Sequence, residues 1–366
     1  MIKRLEVIIF SIFLALFSIV YTYAEEKEED NKKENRPKVS IIVIINNTDK
    51  YLKQCLDSIV EQSMKEIEIS CVSNHMSDNL LDISKNYKEL NINFVNEEGT
   101  DLTTLINNII NKSDGEYISF VDANDYFKKD AYEIAYRQAS GRGADILAFG
   151  YINNKAKKTL DDNVYNNPFT VMKKLLLHGC TIWGKLYKTE LVKDTLFNER
   201  LKFSQDVCFN YSIFPKAKVV VSISDLLYYH RWLRYVVDAK FKNMKEKINN
   251  DIEVMREICK NWRKSNCASG NEEVLYKIVL KNILTEVTEC DKEEMDMYMK
   301  EIKDIFSNDI FTKESLKKFP RYVKEKLKRM LGFRKKSKND NQNSPDDNKN
   351  LEKNQENLKL NMQESS

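Results

Sequence analysis

At 366 residues, 42% hydrophobic and 31% charged, the chain has the composition of a globular protein long enough to bury a sizeable core. Its 59 Lys and Arg against 56 Asp and Glu leave a net charge of +3 at pH 7, which gives no electrostatic case for a nucleic-acid partner. Nine glycines make Gly-rich phosphate loops scarce, and seven cysteines, an odd number without close metal-ligand spacing, do not read as a disulfide framework. Cys259 and Cys267 form the one plausible local bridge.

Residues 1–24 run from a basic MIKR through the apolar stretch Val7 to Ala24 to the acidic EEKEED. This is the pattern of a secretory signal peptide cleaved after Ala24, of a retained membrane anchor, or of a plain hydrophobic helix. Under the first two readings the basic flank stays in the cytoplasm. The rest of the chain then lies on the non-cytoplasmic side, in a periplasm or cell envelope or in a secretory-pathway lumen.

After a polar spacer, residues 25–37, strand and helix patterns alternate. KVSIIVII (Lys38 to Ile45) is β-branched, short and apolar on both faces, as a parallel strand under helices would be. Tyr51 to Gln62 places Leu52, Leu56, Ile59 and Val60 on one helical face. A strand over Glu66 to Ser73, a helix over Leu80 to Leu90, a strand over Ile92 to Val95, a helix over Thr103 to Asn111 and the strand EYISFVDA follow. Such repeats predict an α/β fold with a mostly parallel sheet and ligands beyond the carboxyl ends of its strands. The polar clusters at Asn46, Ser73 and Asp122 therefore converge on one edge. Beyond Ala131 the pattern gives helices with short strands over Ile146 to Tyr151 and Ala217 to Ile223. Residues 38–235 thus form one domain, 236–333 a helical region and 334–366 a polar, disordered tail. The basic cluster Lys324 to Lys338 is either a membrane-surface helix or a solvated helix end.

Several segments in this order resemble family 2 glycosyltransferases. VSIIVIINNTDKYLKQCLDSI is similar to that family's opening strand and helix, CVSNHMSDN occupies its Asp-Asp-Gly-Ser-x-Asp position, and GEYISFVDANDYF (Gly115 to Phe127) stands where it has GEYIxFxDxDD. TIWGKLYK, KFSQDVCFN and LYYHRW are similar to its WNKLY, KFxEDxxFN and YYYR segments. The resemblance implies a GT-A-like fold and inverting transfer of a sugar from a nucleotide-diphosphate donor to a glycan, a lipid-linked acceptor or another hydroxyl. It also implies a divalent cation, Mn2+ or Mg2+, to neutralise the leaving diphosphate. Carried over residue by residue, it assigns Asp206 as catalytic base. Asn46, Ser73, Asp78, Asn107, Asp122 and Arg231 fall on the nucleotide sugar, and Trp183 and Lys185 on the acceptor. Asp122, Asn124 and Asp125 fall on the metal.

The chain departs from the family pattern at Asn124, where a ligand carboxylate is expected, and at Ser73 to Met76, which replace the nucleotide turn. Ile44 stands for a proline, Ile106 for an arginine and Gln205 for a glutamate. These departures support a second reading, a catalytically inactive member of the fold that binds a glycan or a protein partner outside the cytoplasm. Residue by residue, Asp122 and Asp125 also fit caps for the following helix, Asp206 a helix start and Trp183 core packing. His75, His178 and His230 are too scattered in sequence to suggest a metal site, and Tyr228, Tyr229 and Trp232 read as packing residues.

Overall fold

The computed structural model describes residues 36–46, 50–75, 77–90, 92–154, 156–166, 180–231, 244–265 and 290–305, with Tyr21, Tyr23, Val274, Ile283, Glu286 and Val287. All lie in the first of two compact units, Met1–Ser315 and Leu316–Ser366. Most of the leader, Met76, His178, Trp232, Cys267, the basic cluster and the polar tail lie outside the described residues. No described helix is long and apolar enough to cross a membrane.

The chain begins with β1 (Val39–Ile44), α1 (Leu52–Val60), β2 (Ile67–Ser73), α2 (Asp78–Asn86), β3 (Ile92–Asn96), α3 (Leu102–Lys112), β4 (Tyr117–Asp122), β5 (Tyr126–Phe127) and α4 (Ala131–Gly141). It continues with β6 (Ile146–Asn153), β7 (Lys157–Lys158), β8 (Asn163–Tyr165), β9 (Lys185–Lys188), α5 (Thr189–Lys193), α6 (Gln205–Ile213), β10 (Val220–His230), α7 (Met244–Lys264) and α8 (Lys292–Ile305). One sheet runs in the order β3-β2-β1-β4-β9-β6-β10-β5, with β7 on β6 and β8 on β10. β3, β2, β1 and β4 are parallel, as are β6 and β10; β9 enters antiparallel between β4 and β6. The mostly parallel α/β architecture expected from the sequence is therefore present. The sequence pattern leaves β9 and β5 unassigned, since four and two residues carry too little periodicity to read.

Helices cover both faces. Val39, Ile41 and Val43 of β1 and Tyr117 and Val121 of β4 join one apolar core with Leu52, Leu56 and Ile59 of α1 and Ala131, Tyr132 and Ala135 of α4. Alternation turns Ile42, Ile118 and Phe120, all fully buried, to the other face. There the Phe120 ring meets Tyr187, Phe197 and Phe209 edge-on, with centroids 5.4–5.9 Å apart, so α6 is seated against β4 and β9. α7 in turn packs on α6: Trp262 is fully buried and its indole Nε1 donates to Tyr211 O at 2.8 Å.

The parallel register sets the functional edge. Ile44 lies opposite both Val72 and Asp122, so β1, β2 and β4 end at one level. At the opposite end Gly115 leads into β4 pressed against β1: its N–H donates to Ser40 Oγ at 2.8 Å and its carbonyl accepts from Thr189 Oγ1 at 2.6 Å. A Cβ here would meet Ser40 N and Oγ at 2.5 Å and Val39 C at 2.9 Å. Because backbone atoms cannot rotate aside, Gly115→Ala is expected to lower unfolding free energy by about 1–3 kcal/mol, read as a reduced urea midpoint at unchanged m-value.

Candidate active site

β4 ends at Asp122, and alternation puts its side chain on the face occupied by Phe120 and α6. The following turn closes through Asp125 N–H to Asp122 O at 2.9 Å. Asp122 Oδ1 accepts from both the backbone N–H and the side-chain Nδ2 of Asn124, each at 2.9 Å. Burial pushes the Asp122 carboxyl above the usual aspartate range, and the nearby Asp125 pushes the same way; the Asn124 bonds and His230 oppose them. Asn124 is itself 4% exposed, and its amide oxygen Oδ1 is buried without a hydrogen-bond partner. A carboxylate and an amide oxygen are donor types a hard cation accepts, and Asn124 turns its Nδ2 rather than its Oδ1 toward Asp122.

Asp125 is used differently from the sequence-based expectation. It is fully buried, and its Oδ2 accepts from Tyr228 OH at 2.6 Å and pairs with His230 Nδ1 at 3.0 Å, while Oδ1 accepts from Arg231 N–H at 2.8 Å. Its oxygens thus face β10 and Arg231, and Asp125 anchors the turn that carries Asp122 and Asn124. Among the described residues no group of three or more His, Cys, Asp or Glu gathers as a complete metal site. Neither Asp122 nor Asp125 caps a helix, since α4 starts after Asp130.

Arg231 reaches the site, with its guanidinium engaged there. Its Nη1 donates to Asn124 O and its Nη2 to Gln54 Oε1, and it packs on the rings of Tyr51 and Tyr126 at 4.3 and 4.8 Å from their centroids. Asn46 is exposed just past β1, and Asp78 is exposed in the first turn of α2. Two residues assigned to the nucleotide are turned elsewhere. Ser73 Oγ is consumed by its own turn, donating to His75 O at 2.7 Å and accepting His75 N–H at 3.1 Å. Asn107, 3% exposed, donates from Nδ2 to Phe197 O and Glu199 Oε1 at 2.9 Å and accepts Phe197 N–H at 3.0 Å. It clamps the segment leading to α6 and has no oxygen or N–H left for a ligand.

Asp206 lies in the first turn of α6, beyond the N-cap position, which Ser204 holds. Ser204 is the one non-glycine residue with positive φ among the described residues, at φ 60°, a left-handed geometry kept only where the surroundings enforce it. The sequence pattern does not mark it. Gln205 ties the helix start to α3, donating to Thr103 Oγ1 at 3.2 Å and to Leu201 O at 2.9 Å. α3 begins at the carboxyl edge, so this bond holds the start of α6 at that edge. Burial pushes the Asp206 carboxyl up, opposed by N–H bonding, including Val207 N–H to Oδ1 at 2.8 Å, and by Lys185.

Trp183 lies flat over Tyr228 and His230, with centroids 5.0 and 4.5 Å away and interplanar angles of 13° and 23°. It borders a cavity of about 300 Å³ lined also by Tyr151, Tyr165, Asp161 and Thr181. Lys185 is 5% exposed, and its ammonium is held under the preceding loop by Thr181 O at 2.5 Å and Trp183 O at 3.5 Å. It shapes the loop rather than presenting its charge to solvent.

Residues 40–199 match the model of Glycosyl transferase family 2. The chain carries a family 2 glycosyltransferase domain. Curated relatives include glycosyltransferase GlyA of Streptococcus pneumoniae, 27% identical over 233 residues, covering 55% of this chain and 33% of that protein. The uncharacterized glycosyltransferase EpsJ of Bacillus subtilis is 28% identical over 214 residues, covering 53% of this chain and 61% of that protein. The chain thus spans between about a third and three-fifths of these two relatives. Among solved structures, S. aureus TarS 1–349 aligns with a TM-score of 0.64 at 19% identity, over 81% of this chain and 87% of that one. The same TarS fragment in complex with UDP-GlcNAc gives 0.61 at 20% identity, over 75% and 82%. These likenesses establish the GT-A-like fold that the sequence resemblance implied.

Two stability outcomes follow from the site. Asn107→Leu leaves Phe197 N–H and C=O buried without partners, and is expected to cost about 2–4 kcal/mol in urea unfolding. Burial holds Lys185 down at about 8, below its ordinary value of 10.5. Its protonation therefore opposes folding, most fully below pH 8, and stability rises as pH climbs from the folded value toward the unfolded one. The stability of wild type relative to Lys185→Met should increase between pH 7 and pH 9.5.

Proposed function

We propose that the protein is an inverting glycosyltransferase that uses a nucleotide-diphosphate sugar, with a uridine diphosphate donor as the first to test. The observation that carries it is one arrangement at the carboxyl edge of the sheet, running from the family-matched residues 40–199 into α6. We read the desolvated carboxylate of Asp206, whose helix start Gln205 ties to the beginning of α3, as facing the carboxylate–amide pair of Asp122 and Asn124. The donor class is supported by solved TarS complexes with UDP-GlcNAc and with UDP, on the same fold. Curated relatives such as the poly(ribitol-phosphate) beta-glucosyltransferase of Bacillus spizizenii support a glycan-type hydroxyl acceptor.

In this reading Asp122 and Asn124 Oδ1 would hold a divalent cation, which when bound neutralises charge on the departing diphosphate. Asp122 is kept in place by Asn124, and Asn124 by the Arg231 guanidinium on its carbonyl. Trp183 offers an aromatic surface beside the cavity for the acceptor sugar. The proton of the acceptor hydroxyl moves to a carboxylate oxygen of Asp206. The freed oxygen attacks the anomeric carbon from the side opposite the nucleotide, forming the new C–O bond as the bond to the diphosphate breaks, with inversion.

The test is release of UDP or GDP from nucleotide sugars by the full chain with Mn2+, alongside direct titration of the nucleotides. Asp206→Asn should bind donor normally and lose about 100- to 10,000-fold in kcat. The base acts ionised, and burial raises its carboxyl while Lys185, facing it from β9 with Tyr187 and the Cys180 loop, lowers it. Activity should accordingly fall with decreasing pH at a value above the ordinary aspartate range. Failure of every nucleotide sugar to bind or turn over would overturn the proposal.

A further inference from the structure

Asp206 lies in a helical turn whose direction is set two residues earlier. Ser204 sits at φ 60° and ψ 26° and makes no side-chain cap bond, yet its carbonyl accepts the Cys208 N–H at 3.0 Å as α6 begins. A left-handed serine persists only where its neighbours hold it there. On the downstream side Gln205 does so, through Thr103 and Leu201. On the upstream side the hold comes from α7. Asn250 Oδ1 accepts the N–H of Lys202 at 3.2 Å and that of Phe203 at 3.3 Å, and its Nδ2 donates to Phe203 O at 3.3 Å. One turn earlier on α7, Glu246 Oε1 accepts from Lys202 Nζ at 2.7 Å, so one face of that helix brackets the segment before Ser204.

α7 lies beyond residues 40–199, the part of the chain that matches the family, so no motif position marks Asn250. The other bonds between α7 and α6 fall at the far end of α6, where Asn261 Nδ2 donates to Ser212 Oγ at 3.0 Å and Trp262 Nε1 to Tyr211 O at 2.8 Å. Those bonds join helix to helix, whereas Asn250 grips the loop that aims the first turn. We infer that Asn250 is a positioning residue for Asp206, holding Lys202 and Phe203 so that Ser204 keeps its left-handed turn and α6 starts in the direction the base requires. The inference rests on the transferase reading for what Asp206 does, but not for how the turn is held. A serine before a helix ordinarily takes an extended conformation and caps the helix with its own hydroxyl. Without Asn250 that conformation is open to Ser204, and Asp206, two residues on, moves with it. Glycine at position 204 adopts positive φ without steric cost and so makes the grip of Asn250 dispensable.

The test is a crystal structure of full-chain Asn250→Ala beside wild type, with release of UDP from UDP-GlcNAc and UDP-glucose measured on the same proteins with Mn2+. In the variant Ser204 should leave positive φ and the Asp206 carboxylate should be displaced, and kcat should fall about 10- to 100-fold at unchanged KM for the nucleotide sugar. Adding Ser204→Gly to Asn250→Ala should restore most of the lost kcat, which a merely structural role for Asn250 would not allow. Asn261→Ala, which loosens the far end of α6, should lower the urea midpoint and leave kcat as in wild type. The double variant reports on the turn even where Asn250→Ala alone does not fold; a double variant that also fails to fold shows Asn250 to serve the fold alone and overturns the assignment. Ser204 and Asp206 unmoved in Asn250→Ala, an unchanged kcat, or an equal fall in Asn261→Ala likewise overturns it and leaves the transferase reading standing. If the turn shifts as expected while wild type turns over no nucleotide sugar, the hold of Asn250 on Asp206 stands and the transferase reading fails.

Discussion

The buried carboxylate of Asp125 is the constraint on which the site depends. An acid placed at 0% exposure is costly unless its oxygens are satisfied, and here three donors from the end of β10 and the residue after it satisfy them: Tyr228 OH, His230 Nδ1 and the Arg231 N–H. Geometry then propagates outward from that anchor. The turn after β4 must close against β10, which fixes Asp122 and Asn124. β10 must present Tyr228 and His230 side by side, which gives Trp183 a platform. Arg231, delivered by the same strand, returns to cap Asn124 O and packs on Tyr51 and Tyr126, closing the loop back to α1.

A second set of interactions carries Asp206. Phe120 continues β4 under α6, and Phe197 stacks on Phe209 with centroids 4.2 Å apart, so the helix bearing Asp206 rests on an aromatic layer. Asn210 joins it to β9 and the loop before it, accepting from Tyr187 OH at 2.9 Å and donating to Cys180 O at 3.0 Å. Asn107 pins the approach to α6 and Gln205 its first turn. Position, not local propensity, thus decides what Asp206 faces: the helix start is held by α3, β9 and α7 together.

How much of this the sequence displays depends on which physical signal each part leaves. β1, β2 and β4 are legible because strands buried on both faces need unbroken β-branched runs, and α1 and α3 because a single buried stripe needs apolar residues at helical spacing. The carboxyl edge follows from their order alone. Side-chain direction leaves no such signal. Asn107, Ser73 and Asp125 stand at family motif positions, yet one clamps a loop, one closes its own turn and one anchors a strand. The letter at a motif position does not record whether its hydrogen bonds are already spent. His230 shows the converse: distant in sequence from Asp122, it gives no spacing cue, and only the pairing of β10 with β5 brings it beside the strand end. Ser204 has no sequence mark either, since a serine before a helix ordinarily reads as a cap and here makes no side-chain cap bond.

The Asp125 anchor also bears on how such domains can be recombined. Tyr228 and Asp125 are 103 positions apart, yet the turn 122–125 and residues 228–231 form one hydrogen-bonded unit. A chimera whose crossover falls between β5 and β10 would join a turn shaped for one strand to a strand shaped for another turn. Modules of this fold should therefore exchange cleanly only when both segments travel together, and a substitution at any one of Asp125, Tyr228 and His230 sets the terms on which the other two can drift.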